Sequence, residues 1–522
     1  MSHTQLLAET GRSSSQDPTR IAVSVGTKSI TYSELDREIT RVHALYVRLG
    51  LQRGQRIVLL LPSGLEFVLA YFAAHRAGLV VVPLNPLLGA QEVGSILQAM
   101  RPVLVVSWAT PDGPPAVQRL PALIATCSPQ SRLALCGATD AQTSESSSGP
   151  ISFDASGIET PLDLPWTPRA ANDEVLILYT SGTSGKSKGV SLIQSQILNN
   201  ASHANRVLGF TQEDVILSPL PVSHVFGQLV VMLGTLLAGA HLVLISRADP
   251  AVVFESMLEF QPTVVAAVPT TFIALSKFGE TDPALSRRTA RRLRLAFSGG
   301  AKLLRAAEAH FAEVFGPRVH QGYGMTEVAC CIALDDPRKA PSGGVGRMLA
   351  PPLEYRIDPL DSSQPGRGQL LLRGPNVYRG YYIDDSFLER APQEWFATGD
   401  IVQELPTGAI EIVDRLKDMI IRGGYNVYPA EVEQVLASHP RVLHAAVIGV
   451  SHPGLGQEVA AFVTLRDTAP ITGRELAQWC KDRIALYKYP RLIAVLATMP
   501  TNPTGKIMKQ HLDTTLLIGI DE

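Results

Sequence analysis

The chain has 522 residues, 45% of them hydrophobic and 18% charged, with a formal net charge of −2. At about 150 residues per domain that length makes roughly two to four units, and the apolar share supplies large buried cores. Near-neutrality excludes a general basic face for nucleic acid. The five cysteines (Cys127, Cys136, Cys330, Cys331 and Cys480) are odd in number and lack metal-ligand spacing. They read as reduced thiols, which predicts a cytoplasmic protein. The opening residues show no basic segment followed by an apolar core, so no secretory signal is expected.

In chain order, Ile30-Thr31-Tyr32-Ser33-Glu34-Leu35 offers Ser33 as the N-cap of a helix that continues through Ala44, Leu45 and Val47. Residues 56–61, closed by Pro62, read as a buried strand, 65–77 as a helix, and 79–84 and 103–107 as further strands. This alternation predicts an α/β fold with doubly wound sheets. The apolar runs 67–84 and 228–245 are interrupted by His75 and Arg76, and by Gly234, Gly239 and His241. Each reads as a buried helix turning into a buried strand, so no membrane span is expected. Residues 138–172 are polar and then proline-spaced, and read as a solvated connection without chemistry.

Val175-Leu176-Ile177-Leu178 is a buried strand leading into Tyr179-Thr180-Ser181-Gly182-Thr183-Ser184-Gly185-Lys186-Ser187-Lys188-Gly189-Val190. Ile197, Leu198, Ala201, Ala204, Val207 and Leu208 then recur at helical spacing, so the loop is expected to join a strand to a helix. Thr180, Ser181, Thr183 and Ser184 bring hydroxyls, and Lys186 and Lys188 bring mobile charge. Gly182, Gly185 and Gly189 allow backbone conformations closed to other residues. Such a loop is suited to a polyphosphate. A Walker A loop needs glycine where Thr180 stands.

Downstream, Pro219-Leu220-Pro221-Val222-Ser223-His224-Val225-Phe226-Gly227 carries a histidine among apolar residues. Residues 263–268 are a strand, and Leu295-Ala296-Phe297-Ser298-Gly299-Gly300-Ala301 is a strand entering a glycine turn, where a flat ring or a carboxylate can lie against bare backbone. A short strand at Arg318-Val319-His320 precedes Gln321-Gly322-Tyr323-Gly324-Met325-Thr326-Glu327. β-rich structure follows around Val345-Gly346-Arg347, 368–375 and Gly380-Tyr381-Tyr382. Beyond it come Thr398-Gly399-Asp400, Asp414-Arg415-Leu416-Lys417-Asp418, and 421–433 with its paired Gly423 and Gly424. Pro429 opens a helix whose Val432, Val435 and Leu436 face a core. Strands at 445–450 and 459–465, a helix at 475–485 and Asn502-Pro503-Thr504-Gly505-Lys506-Ile507 complete a small α+β tail.

In their order and residue types, these segments resemble the ANL superfamily of adenylate-forming enzymes, which includes acyl-CoA synthetases, peptide-synthetase adenylation domains and luciferases. Gln321–Glu327 matches that pattern without a change. The hydroxyl-rich loop departs by Ser184 for Thr and Ser187 for Pro, and Asp414 replaces the usual Gly. The resemblance implies a large N-terminal domain over 1–414, a hinge at 415–417 centred on Lys417, and a small mobile domain over 418–522. It implies a nucleotide site of Thr180, Ser181, Gly182, Thr183, Ser184, Lys188, Gly300, Ala301, Gln321, Gly322, Tyr323, Asp400 and Arg415. Tyr323 would stack on adenine, Thr326 would bond the α-phosphate, Glu327 would hold Mg²⁺, and Asp400 and Arg415 would take the ribose. His224, Val225, Phe226, Gly299 and Cys331 would line the acid pocket.

The implied reaction has two steps. A carboxylate attacks the α-phosphorus of ATP while Lys506 steadies the developing charge and pyrophosphate leaves. The small domain then turns about Lys417 and presents Gly424, and coenzyme A displaces AMP. The expected substrate is a medium- or long-chain fatty acid or a similar hydrophobic acid, in fatty acid or secondary metabolism, and a homodimer is compatible with the chain. Three alternatives stand beside this reading. An acyl-AMP ligase could load a carrier protein, although the chain shows no room for the usual insertion. An amino-acid adenylation domain is opposed by the lack of an Asp after Pro221-Val222-Ser223. A non-catalytic nucleotide-binding protein is opposed by intact Glu327, Asp400, Arg415 and Lys506.

Overall fold

Uninterrupted runs of Val, Ile and Leu must be buried on both faces, and such strands pair in parallel beneath covering helices. A computed structural model describes residues 17–110, 113–138, 149–154, 164, 166–181, 187–339, 341–349, 353–360, 366–423, 425–467, 469–502 and 506–519. It contains two nine-stranded sheets built on this rule. In the first, Glu174–Ser181, Val80–Pro83, Arg56–Leu59, Leu104–Trp108, Arg132–Cys136 and Ile151–Ser152 run in parallel. In the second, Ile21–Val25, His241–Leu244, Val215–Ser218, Val264–Ala267, Leu295–Ser298 and Val319–Met325 do the same. The expected doubly wound sheets are present, extended at their edges by antiparallel strands.

One apolar core joins the two sheets. Phe67 and Tyr71 of the helix Leu65–Arg76, Ile197 of the helix Gln194–Leu208, and Phe226 and Val230 of the π-helix Phe226–Leu233 meet Val81 and Leu176 from one sheet and Leu295 and Phe297 from the other. The helix Leu65–Arg76 is apolar on nearly all sides and correspondingly buried. The runs 67–84 and 228–245 both resolve into buried helix followed by buried strand. Among the described residues no helix is long and apolar enough to cross a membrane.

Three expectations need correction. The helix Tyr32–Arg48 is capped by Thr31, not Ser33. The Thr31 hydroxyl accepts the Glu34 N–H at 3.2 Å while the Glu34 carboxylate accepts the Thr31 N–H at 2.8 Å, a reciprocal pair that only Thr31 can make with a Glu three residues on. The connection around 138–172 is not wholly solvated. Ile151–Ser152 adds an edge strand, and the buried Arg169 guanidinium donates to the carbonyls of His75, Leu79 and Glu174. The hydroxyl-rich loop joins strand to strand, because Glu174–Ser181 and Ser187–Ile193 form an antiparallel hairpin before the helix Gln194–Leu208 begins.

A four-stranded antiparallel sheet (Glu354–Pro359, Arg367–Arg373, Phe396–Glu404 and Ile410–Arg415) packs Leu370, Leu372, Val402 and Ile410 into the main core. The short turn Leu416–Asp418 then leads to a six-stranded sheet whose described strands all lie between Ile420 and Gly519. Helices Pro429–Ala437 and Gly473–Lys481 cover it, with Val432, Leu436, Val459 and Leu476 in a core of its own.

Candidate active site

The hydroxyl-rich hairpin pairs Tyr179 with Gly189, Thr180 with Lys188 and Ser181 with Ser187. Gly182, Thr183, Ser184, Gly185 and Lys186 lie outside the described residues, as does the Ser181 side chain. Gly189 serves otherwise than expected. It lies in ordinary strand backbone, and a β-carbon there would meet the Tyr179 ring at 3.2 Å and Ile177 at 3.0 Å, so its bareness admits neighbours rather than an unusual turn.

The Gln321–Met325 motif is itself strand, a longer element than the short one expected at 318–320. Met325 passes directly into the 3₁₀ turn Thr326–Val328. Ser298 pairs in parallel with Gln321, so the Gly299-Gly300-Ala301 turn opens beside the strand that carries Tyr323. Gly300 has φ +83°, a conformation glycine takes freely. At Gly324 a β-carbon would fall 1.4 Å from the Cys330 carbonyl oxygen, so the strand folds back on Cys330–Leu334 only because nothing projects there.

Tyr323 and Asp400 meet across the molecule. The phenol donates to Asp400 Oδ2 at 2.6 Å, and Arg415 Nε lies 3.1 Å from Asp400 Oδ1. Asp400 and Arg415 face each other in the antiparallel pair Phe396–Glu404 and Ile410–Arg415. Burial, and then the Asp400 charge, push the Tyr323 phenol well above its ordinary range, so it remains a donor. Each buried carboxylate oxygen of Asp400 keeps acceptor capacity beyond these contacts.

Glu327, at the start of the 3₁₀ turn, accepts a hydrogen bond at 2.9 Å from Tyr381, a residue that the sequence reading placed only in β-rich structure. The Tyr381 ring lies 5.3 Å from Lys188 Nζ, so one tyrosine connects the hydroxyl-rich hairpin to Glu327. Thr326 is buried beside them.

His224 precedes the π-helix, a form often found at functional sites. Its Nδ1 accepts the Phe226 N–H at 3.3 Å, which leaves Nε2 to carry the proton. Burial, and then the charge of Lys506, push the imidazole down to about 4, so it is neutral. The Phe226 ring packs edge-on against Phe297, and a β-carbon on Gly299 would sit 3.2 Å from it. Val225 is buried alongside. Cys331 is buried in the same core as Phe226, on the strand Cys330–Leu334. Asn200, which the sequence reading did not single out, clasps the Cys331 backbone by accepting its N–H at 3.1 Å and donating to its carbonyl at 2.6 Å.

Lys506 completes the group from the far end of the chain. Its loop is closed by Asn502, whose side chain accepts the Lys506 N–H and whose own N–H reaches the Lys506 carbonyl, both at 2.8 Å. Lys506 is exposed, yet enough protein surrounds it for desolvation to dominate. Burial first and Arg415 second push its ammonium down to about 8, with Asp400 opposing. Lys417 lies in the turn Leu416–Asp418, and Gly424 lies outside the described residues.

The AMP-binding enzyme family model matches residues 11–382, and that of the AMP-binding enzyme C-terminal domain matches 431–506. The chain is 31% identical over 508 residues to a feruloyl-CoA synthase of an Amycolatopsis species, covering 95% of this chain and 96% of that one. It is 30% identical over 489 residues to a long-chain-fatty-acid–CoA ligase of Mycobacterium tuberculosis, covering 92% of each. The crystal structure of ATP-bound MatB from Rhodopseudomonas palustris superposes with a TM-score of 0.83 at 28% identity over 98% of both chains. The chain therefore belongs to the AMP-binding enzyme family, and is an ANL-superfamily adenylate-forming enzyme that works with ATP and Mg²⁺, whose acid–CoA ligase relatives take coenzyme A as acceptor.

Proposed function

We propose that the enzyme joins a hydrophobic carboxylic acid to coenzyme A through an acyl-adenylate. The observation that carries this reading is the Tyr323–Asp400–Arg415 cluster, joined at 2.6 and 3.1 Å, with the Lys506 ammonium near enough for its charge to act on Arg415, Asp400 and His224. The acid's carboxylate oxygen attacks the α-phosphorus, the bond to the bridging pyrophosphate oxygen breaks, and Lys506 bears on the charge that develops there. The Tyr323 face receives adenine, Asp400 and Arg415 take the ribose hydroxyls, and Thr326 bonds the α-phosphate. The hairpin around Thr180 and Lys188 receives the departing pyrophosphate. In the second step the thiol sulfur attacks the acyl carbonyl and the carbon–oxygen bond to AMP breaks.

Mg²⁺ suits this donor set. Among the described residues no three or more His, Cys, Asp or Glu side chains group closely enough to hold a metal unaided. A single carboxylate held by a tyrosine is sufficient for Mg²⁺ when phosphates and water supply its other ligands. Tyr381→Phe keeps the ring under Lys188 and removes the hydroxyl from Glu327. The Mg²⁺ concentration for half-maximal adenylation is expected to rise about tenfold, as for other residues that orient a metal-binding group. An unchanged Mg²⁺ requirement would free Glu327 from dependence on Tyr381.

The two steps need one lysine present and then absent. We assign residues 1–414 to a large domain, 415–417 to the hinge and 418–522 to a small domain that moves Lys506. The Leu416–Asp418 turn between two separate sheets supports that division. The acid class is read from Val225, Phe226 and Gly299, which offer an aromatic edge and bare backbone but no charge. The deciding experiment is a panel of straight-chain fatty, hydroxycinnamic and benzoic acids, assayed for AMP release with and without coenzyme A. Release that requires both a hydrophobic acid and coenzyme A is expected. Release without coenzyme A, or with no acid in the panel, would overturn the reading.

A further inference from the structure

The helix Pro429–Ala437 begins without a capping side chain of its own. Its N-cap is Tyr428, whose side chain makes no capping bond, and Pro429 has no N–H to satisfy. The first exposed donor is therefore the Ala430 N–H. It donates at 2.8 Å to Asp414 Oδ2, while Asp414 Oδ1 accepts the Arg415 N–H at 2.7 Å. Asp414 is buried, and its backbone belongs to the strand Ile410–Arg415, where it pairs with Ile401. One carboxylate thus grips elements on both sides of the Leu416–Asp418 turn.

A second contact reinforces the first. Lys509 Nζ lies 2.7 Å from Glu433 of the same helix. Burial opposes its charge, yet Glu433 and Asp414 together hold the ammonium above its ordinary range. Lys509 stands three residues after Lys506 in the sequence. The helix that Asp414 caps thus also holds Lys509, which follows Lys506 by three residues.

We propose that Asp414 is a positioning residue, a clip that holds the small domain in the arrangement with Lys506 in the site, and so sets the balance between adenylation and thioester formation. This rests on the two-step reading above. Any large rotation about the turn separates residue 414 from residue 430, which breaks the cap and leaves the Ala430 N–H and the carboxylate to water. The bond exists in one arrangement only, and a contact specific to one state shifts the equilibrium by its differential energy.

The test compares Asp414→Ala, which removes both acceptors, with Asp414→Asn, which keeps one that can face Ala430. Two readouts are used, single-turnover rates of each half-reaction and trypsin cleavage at Arg415 and Lys417 in the turn. Loss of a cap acceptor is expected to make Asp414→Ala about fivefold to tenfold slower in adenylation and cut correspondingly faster at the turn. Thioester formation from supplied acyl-adenylate should be unchanged or faster, and Asp414→Asn should recover most of the loss. Wild-type adenylation and cleavage in Asp414→Ala would overturn the proposal. So would an equal fall in both half-reactions with a lowered melting temperature, which would mark a plain packing role. Were the wild type to form no acyl-adenylate at all, the two-step reading would fail, and the cleavage comparison would still decide whether Asp414 clips the junction.

Discussion

Lys506→Ala is expected to slow acyl-adenylate formation by about 10²-fold or more, because a preorganised cation at developing charge contributes at least that much in a desolvated site. Thioester formation from supplied acyl-adenylate and coenzyme A should survive, since that step proceeds with the lysine withdrawn. The pH profile supplies an independent check with a definite sign. Burial and Arg415 depress the Lys506 ammonium to about 8, and the protonated form is the competent one. Adenylation kcat/KM should therefore hold on the acid side of pH 8 and decline as the pH rises through it, with about a tenth of the sites still protonated one unit higher. His224, already neutral from about pH 4 upward, adds no step in that range. Parallel loss of both half-reactions in Lys506→Ala would show a structural residue, not one that acts on the first step alone.

Lys417→Pro is expected to divide the two half-reactions the other way. Lys417 is the middle residue of the turn Leu416–Asp418, which bridges a sheet ending at Arg415 and one beginning at Ile420. Few backbone dihedrals are available there to absorb a large reorientation. Proline fixes φ at 417 and narrows the choices of Leu416. Where the second arrangement needs a dihedral that proline forbids, the cost is about 3 kcal/mol, or roughly a hundredfold in rate. The helix-like φ of the present turn is one proline can adopt. Single-turnover assays should show thioester formation reduced by about that hundredfold with adenylation largely retained. Wild-type rates in both would place the pivot at another residue.

Much of the site was legible because its chemistry is written in contiguous segments. Gln321–Glu327, the Thr398-Gly399-Asp400 tripeptide and Lys506 each sit in a motif whose residue types restrict its use, and Tyr323, Asp400 and Arg415 do meet, with the Lys506 charge acting on the last two. Tyr381 was hidden for a physical reason. It reaches Glu327 across 54 residues, and a tyrosine in a β-rich stretch looks like an ordinary strand former. Asn200 gave still less signal, because a polar residue on a helix is normally solvated until a partner chain such as Cys331 is brought against it. The Thr31 cap and the strand Ser187–Ile193 both carry a signal in the sequence. Thr31 and Glu34 already spelled a capping box. Val190 and Leu192, with Ser191 between them, already alternated apolar with polar as a strand before the helical pattern began. Arg169 was obscured by its proline-spaced setting, whose polar composition says nothing about the carbonyls waiting beneath it.

The bare contact at Gly324 divides the site into parts that can and cannot be redesigned. With Gly322 roofed by the Phe297 and Leu334 side chains, and Gly346 pressed to within 1.8 Å of the Leu334 carbonyl carbon at a β-carbon's position, the strand Cys330–Leu334 is closed in on both sides by glycines that leave no room for a side chain of their own. A library that varies these glycines would pry apart the hairpin bearing Tyr323, Thr326 and Glu327, and most of its members would be lost before any question of substrate arose. Val225 and Phe226 stand on a separate element, the segment running from His224 into the π-helix, and the Phe226 ring packs against another side chain, Phe297, as well as the Gly299 backbone. Diversity aimed at acid preference is best spent there, with these glycines held constant as the invariant half of the scaffold.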